Sequence, residues 1–80
     1  MHDMQIIDSG VCNDGSTITL HGRSLCWKIL QDTSANDATV VFDGKYTVYL
    51  DKQITTYLDV PGNYQTMSAS GNNVHYIVFG

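Results

Sequence analysis

The sequence predicts an all-β domain, an antiparallel sandwich of about eight short strands, and three features of the chain support this. All of its acidic residues are Asp, Ala is scarce, and Thr, Val, Ile and Tyr are plentiful. Glu and Ala favour helices, whereas β-branched and aromatic residues favour strands. Turn-forming stretches rich in Gly, Asn and Asp recur every eight to twelve residues or so, a spacing typical of sandwiches and barrels. No segment shows an apolar 3.6-residue period long enough to predict a helix.

The turn signals divide the chain into its predicted strands. "NDGS" at 13–16 separates QIIDSGVC from TITL, and "HGR" at 21–23 separates TITL from SLCWKIL. The longest polar loop, DTSAND at 32–37, precedes ATVVF, and "DGK" at 43–45 leads from ATVVF to YTVYL. The last three strands are ITTYLDV, YQTMSAS and VHYIVF, separated by "PGN" and "GNN". No linker or repeat interrupts the chain, so residues 1–80 are predicted to form a single domain.

Alternating apolar and polar side chains assign one buried face to most of these strands, as is typical of antiparallel sheets. Two strands differ, because VVF at 40–42 and VHYIVF at 74–79 are apolar on both faces. We therefore expect something outside the sandwich to cover their second face. A three-residue loop at 51–53 would pair Leu50 with Ile54 and keep the faces of their strands in phase; alternatively, these two strands lie in different sheets.

The only proline of the chain stands in LDVPGNY, residues 58–64. Val-Pro-Gly-Asn at 60–63 predicts a type II turn, because Pro61 presets φ at the second position and Gly62 accepts a positive φ at the third. Pro61 also ends the preceding strand, since it cannot donate to a ladder. Together with Tyr64, the pattern resembles the tyrosine corner of immunoglobulin-like and fibronectin-type domains, which implies a crossing between two sheets and a hydroxyl bonded to the upstream backbone. An ordinary hairpin turn is the alternative interpretation of these residues. The predicted fold is a sandwich of either the immunoglobulin-like or the jelly-roll type.

Charge and hydropathy argue against several classes of partner. The net charge is −4, and the only four basic side chains, Arg23, Lys28, Lys45 and Lys52, are scattered. Nucleic acids and anionic membranes bind clusters of such residues, so neither is an expected partner. No apolar run is long enough to span a bilayer, and "MHDMQIID" has neither the basic nor the apolar region of a signal peptide.

No metal site, cofactor site or catalytic site is predicted. The possible zinc ligands lack the spacing of a zinc site, and the Asp residues of the turns are explained by turn chemistry rather than by a calcium loop. Neither a nucleophile motif nor a phosphate-binding loop is present, since "ASGNN" at 69–73 is interpreted as a hairpin turn. Two cysteines in a reducing compartment are expected to be free thiols rather than a disulfide. The candidates weighed here are His2, His21, His75, Cys12 and Cys26 for zinc, and Asp14, Asp32, Asp37, Asp43 and Asp51 for calcium.

Aromatic residues leave three interpretations open. Trp27, Tyr49 and Tyr57 could belong to the core, to a protein interface, or to a platform on which a sugar ring stacks. For a protein interface the sequence selects the apolar residues of the two-sided strands together with the tyrosines. These are Val41, Phe42, Tyr49, Tyr57, Ile77 and Phe79.

In length, in its start at a bare Met and in its content of Thr, Val, Asp, Gly and Tyr, the chain resembles the small virion proteins of tailed bacteriophages. The resemblance implies a capsid decoration (cement) protein, or a tail or fibre domain, that is assembled in the host cytoplasm without a signal peptide. Its partners would be copies of itself, a major capsid protein or a tail protein. The alternatives are a carbohydrate-binding or adhesion module that uses exposed aromatics, and an inhibitor-like or scaffold protein of a bacterial cytosol.

Overall fold

The computed structural model describes residues 4–80, which form two four-stranded antiparallel sheets. Sheet A has the strand order β1-β8-β3-β6, and sheet B has the order β2-β7-β4-β5. The predicted all-β sandwich is confirmed, and within the described residues no helix is long and apolar enough to cross a membrane. The strands are β1 (Ile6–Cys12), β2 (Thr17–Thr19), β3 (Cys26–Gln31), β4 (Ala38–Phe42), β5 (Tyr46–Leu50), β6 (Leu58–Pro61), β7 (Thr66–Ser70) and β8 (Val74–Phe79).

The strand order distinguishes between the two predicted kinds of sandwich. β1 pairs with β8, β2 with β7, β3 with β6 and β4 with β5, so the chain resembles one long hairpin rolled into two sheets. This nested pairing is the arrangement of an eight-stranded jelly roll. An immunoglobulin domain groups its first, second, fifth and fourth strands in one sheet, so the immunoglobulin-like alternative is wrong and the jelly-roll alternative describes the fold.

Most connections cross between the sheets instead of forming hairpins. Within residues 4–80 only β4 and β5 are consecutive neighbours in one sheet. The 51–57 connection leads from sheet B to sheet A, as the second predicted arrangement requires, and β6 begins only at Leu58. The 71–73 connection also crosses from β7 to β8, so the hairpin expected there is wrong. Gly71 makes this crossing with a φ of 88°, a conformation that favours glycine.

The β4–β5 hairpin is also attached to the start of β7. Asp43, which has a φ of 52°, begins its three-residue loop. The Asp43 carboxylate accepts hydrogen bonds from the backbone N–H groups of Gln65 (2.9 Å) and Thr66 (3.0 Å). These two hydrogen bonds hold the pKa of the Asp43 carboxyl below its usual value. The sequence identified Asp43 only as a turn residue, because its partners lie more than twenty positions away.

The core lies between the sheets and centres on two aromatic side chains. Trp27 of β3 and Phe42 of β4 are both fully buried, and their rings meet edge-to-face at 5.2 Å. Edge-to-face packing adds stability beyond the burial of apolar area. Of the three interpretations proposed for Trp27, the structure therefore selects the core.

A buried hydroxyl connects this core to the Pro-Gly corner. Ser24 Oγ accepts hydrogen bonds from the indole N–H of Trp27 (3.1 Å) and the backbone N–H of Tyr64 (2.9 Å), and it donates to the carbonyl oxygen of Gly62 (2.8 Å). The Ser24 backbone N–H in turn donates to the Asn63 side chain (3.0 Å). One serine thus supplies partners for polar groups of two parts of the chain, β3 and the corner at 62–64.

The corner crosses from β6 to β7, but it is not the predicted type II turn. Gly62 has a φ of 142°, far from the value near +80° that a type II turn requires. Its N–H donates to the Leu25 carbonyl (2.9 Å), which extends sheet A past Pro61. In the described part of the chain, Tyr64 is held by its backbone and by its ring, which stacks on Tyr46 at 5.6 Å, rather than by its hydroxyl. The tyrosine-corner resemblance therefore gives the crossing correctly but the contact incorrectly.

Replacing Ser24 with Ala is expected to lower the free energy of unfolding by about 2–4 kcal/mol, because two buried N–H donors lose their acceptor. Urea unfolding followed by Trp27 fluorescence measures the change. Ser70→Ala, at the exposed end of β7, is the control and should change stability by less than about 0.5 kcal/mol. Equal effects of the two substitutions would contradict this role of Ser24.

Gly62→Ala is expected to cost about 1–3 kcal/mol, because a Cβ at this position would lie only 2.6 Å from the Tyr64 ring. Gly22→Ala is the matched control, since a Cβ there meets no atom within 4 Å. Thermal unfolding of both variants provides the comparison. A stability of Gly62→Ala equal to that of Gly22→Ala would show that the corner tolerates a side chain.

Candidate protein interface

The outward side of sheet A carries apolar side chains across all four strands. The register aligns Ile6 of β1, Phe79 of β8, Cys26 of β3 and Pro61 of β6 in one row. These residues point outward because their strand neighbours, such as Trp27 and Val78, point into the core. The two other rows add Ile77, Leu30 and Val11. We call this surface the apolar face, and it consists of Ile6, Val11, Cys26, Leu30, Pro61, Ile77 and Phe79.

The apolar face is accessible to solvent in the isolated chain. Ile6 at its edge is 62% exposed and Val11 is 44% exposed, while Ile77 and Phe79 at its centre are half-buried. Burying such side chains against a partner would gain free energy in proportion to the area removed from water. The face is therefore a surface on which protein contact is favourable.

Polar side chains interrupt two rows of the apolar face: Ser9 and one ion pair in the middle row, and His75, which pairs with Asp32, in the row of Val11 and Leu30. Lys28 of β3 lies beside Ile77, and its Nζ is 3.0 Å from a carboxylate oxygen of Asp59 on β6. The same Nζ lies 6.0 Å from the centre of the Phe79 ring. Exposed ion pairs contribute little to stability, so both charges are available to a partner at small cost.

The six residues predicted for the interface do not come together in one place. Ile77 and Phe79 lie on the apolar face, whereas Val41 and Tyr49 lie on the outward side of sheet B. Tyr57 lies in the 51–57 connection and is 40% exposed. The prediction for Phe42 is wrong, because its side chain is 0% exposed in the core.

The outward side of sheet B differs from the apolar face in that its side chains are mostly hydroxyls. Thr17 and Ser68 face each other there, with their oxygens 2.7 Å apart. Val41 stands among such residues, so the VVF stretch does not need the cover that its sequence predicted. Tyr49 is the most exposed large apolar side chain of the described residues, with 76% of its surface accessible to solvent. The outward hydroxyl residues are Thr17, Thr19, Thr39, Thr47, Thr66, Ser68 and Ser70.

Sequence reasoning missed the contribution of β1 and β3 to the apolar face. A bulge at Ile7 interrupts the register between Ile6 and Asp8, so simple alternation along β1 gives the wrong face for its first residues. Cys26 and Leu30 alternate with Trp27 and Ile29, and this period of two is visible in "CWKIL". The pairing of β3 between β8 and β6 is a long-range feature that the period does not reveal.

Both cysteines are free thiols, and the geometry explains why they do not pair. Cys12 points into the core from β1, while Cys26 points outward from β3 in the same sheet. Side chains on opposite faces of a sheet cannot be bridged without moving the backbone. Burial raises the pKa of the Cys12 thiol, which further lowers its reactivity.

Among residues 4–80, no three side chains of the metal-ligating types converge on one point. His2, one of the zinc candidates, lies outside the described residues. A shallow cleft of about 480 Å³ lies between the start of β1 and the β2–β3 connection, and it is lined by Ile7, Asp8, His21 and Arg23 among others. Comparisons of the chain with protein-family models, with curated proteins and with solved structures find no match.

The two thiols are expected to react at very different rates with a maleimide. Cys26 should be labelled in the folded protein, whereas Cys12 should react only when the chain unfolds, because burial both shields its thiol and raises its pKa. Mass spectrometry of peptides after timed labelling measures both rates. Comparable rates in the folded state would contradict the placement of Cys12.

Proposed function

We propose that this chain is a structural, adhesive module of a viral particle, a capsid decoration protein that binds a major capsid or tail protein through the apolar face. The observation that carries the proposal is the set of outward apolar side chains on sheet A. The largest contiguous apolar surface of a monomeric protein, typically roughly 300–600 Å², is often an interaction site. Assembly on the particle would take place in the host cytoplasm.

The size of the apolar face supports a partner that also touches the surrounding loops. Four strands and the length from Ile6 to Val11 give a flat area of roughly 14 by 17 Å. A specific interface buries about 800 Å² on each partner, so the face would form its centre and not its whole extent.

The jelly-roll strand order is compatible with the proposal but does not decide between the candidate functions. Jelly rolls occur in viral capsid proteins and also in lectins. Because one fold serves many functions, the analogy favours neither use over the other, and the proposal depends on the apolar face.

A second candidate function is carbohydrate binding on the outward side of sheet B. The observation that favours it is Tyr49, a highly exposed ring opposite Thr39, on a surface that carries no charged strand residue. A sugar could stack on the ring and exchange hydrogen bonds with the hydroxyls around it. A sugar-stacking platform that includes Trp27 beside Tyr49 and Tyr57, as the sequence allowed, cannot form, because Trp27 is fully buried.

Cross-linking from Lys28 tests the proposed contact with a particle. Lys28 lies within the apolar face, whereas Lys45 lies in the β4–β5 loop and Lys52 in the 51–57 connection. With particles from the lysate that contains this protein, an amine cross-linker should join Lys28, and not Lys45, to a capsid or tail protein. Particle binding should also slow the labelling of Cys26.

Two matched variants sharpen this test. Ile77→Lys places a charge on the apolar face and should weaken particle binding at least tenfold, while Val41→Lys makes the same change in a half-buried β-branched residue of sheet B. Cosedimentation with particles measures the binding of both variants. Equal binding by the two, or retention of the chain by a glycan instead of a particle protein, would overturn the proposal.

A further inference from the structure

The cleft beside β1 has two walls that come from different parts of the chain. One wall is the start of β1, an edge strand of sheet A, and the other is the end of β2, an edge strand of sheet B, with the segment that follows it. The volume of the cleft, about 480 Å³, falls within the range of roughly 300–1,000 Å³ typical of small-molecule sites. The residues that line it are Ile7, Asp8, Thr19, Leu20, His21, Gly22 and Arg23.

The wall that follows β2 is held in place at both of its ends. At its start, the Leu20 N–H donates to the carbonyl oxygen of Gln65 (2.7 Å). At its end, the Leu25 N–H donates to the carbonyl oxygen of Phe79 (2.7 Å). Between these two points lies the buried, fully hydrogen-bonded hydroxyl of Ser24. A ligand in the cleft therefore meets a backbone that is already ordered, which lowers the entropy cost of binding.

The opposite wall is shaped by the bulge of β1. Ile6 points outward, so regular alternation would turn the Asp8 side chain outward as well. The bulge at Ile7 adds one residue, and Asp8 instead pairs with Val78, whose side chain is fully buried in the core. Opposite residues of paired strands share a face, so Asp8 points inward and lines the cleft. Bulges often re-aim a side chain in this way beside functional sites.

Two opposite charges line the cleft without meeting each other. Within residues 4–80, neither the Asp8 carboxylate nor the Arg23 guanidinium belongs to an ion pair, and Asp8 Oδ1 accepts a hydrogen bond from the Ser9 backbone N–H (2.8 Å). A bulge and an inward charge also protect a sheet edge from pairing, which would explain Asp8 but not the guanidinium on the opposite wall. The separated charges leave room between them for a molecule that carries both signs.

We propose that the cleft binds a small zwitterion with an aliphatic group, that is, a free amino acid of the leucine type. Its carboxylate pairs with Arg23, because a guanidinium can hold a carboxylate through two parallel hydrogen bonds. Its ammonium group pairs with Asp8, and its aliphatic group covers Ile7 and the largely buried Leu20. This site lies apart from the apolar face and does not rest on the proposed contact with a particle.

The charges and the lining of the cleft favour this class of ligand over three others. An anion without a positive group would lie near the Asp8 carboxylate, and a cation without a negative group would lie near the Arg23 guanidinium, and either like-charge contact costs free energy. None of the described residues that line the cleft is aromatic, so a sugar ring would find no flat surface on which to stack.

Four small probes separate the parts of this recognition. At about pH 6, where both ends of leucine and the ammonium group of leucinamide are charged, leucine should shift the amide NMR signals of residues 7, 8 and 19–23 saturably. N-acetylleucine lacks the ammonium group, leucinamide lacks the carboxylate and glycine lacks the aliphatic group, so each should bind about tenfold more weakly or worse. Equal binding of leucine and N-acetylleucine, or no saturable shift up to the solubility of leucine, would overturn the proposal.

Two variants assign the contacts to the two charged residues. In Arg23→Gln, leucine and leucinamide should bind equally, because the carboxylate of leucine has lost its partner. In Asp8→Asn, which keeps an oxygen for the Ser9 N–H, leucine and N-acetylleucine should bind equally. Lys45→Gln and Asp59→Asn make the same kinds of change outside the cleft and should bind leucine like the wild type. An unchanged preference for leucine in Arg23→Gln or Asp8→Asn, in a chain whose NMR spectrum shows that it is folded, would overturn the proposal.

Discussion

The hydroxyl of Ser24 is the contact on which the arrangement of this sandwich most depends. It provides an acceptor for the indole N–H of Trp27, the largest core residue, and for the backbone N–H of Tyr64, at the point where the chain leaves sheet A for sheet B. A buried donor without an acceptor costs more than a formed hydrogen bond contributes. The packing of the core and the path of the corner are therefore coupled through one oxygen atom, and neither can shift alone.

The fold class could be predicted because it depends on local features, namely residue propensities and the spacing of turns. Long-range features could not be predicted in the same way. Ser24 looks like an ordinary loop serine, since its partners at Gly62 and Tyr64 are about forty positions away. The Pro-Gly corner was located correctly, but its φ depends on the contact between Gly62 and Leu25. For the candidate interface, Ile77 and Phe79 followed from the two-sided pattern of the last strand, whereas Phe42 was misassigned because the pattern of VVF cannot say which of its faces meets the core.

The two outward surfaces differ in how strongly they interact with water. Thr and Ser side chains on sheet B keep hydrogen bonds to solvent, so the chain gains little by covering them. The residues of the apolar face have no such bonds to lose, although Ser9, the Lys28–Asp59 pair and the His75–Asp32 pair stand among them. This asymmetry makes burial against another protein more favourable on the apolar face than on the outward side of sheet B.

The nested pairing of strands has a consequence for the order in which the chain folds. The β4–β5 hairpin needs only a three-residue loop, whereas β1 meets β8 across almost the whole length of the chain. Closing a long loop costs more entropy than closing a short one, so folds of this topology assemble slowly and their outermost pair has the least local support. During synthesis on the ribosome, β1 emerges before the other seven strands. It stays unpaired until β8, the eighth strand, has also been made. Until then the edge of β1 that pairs with β8 in the folded domain stays open to water or to another protein.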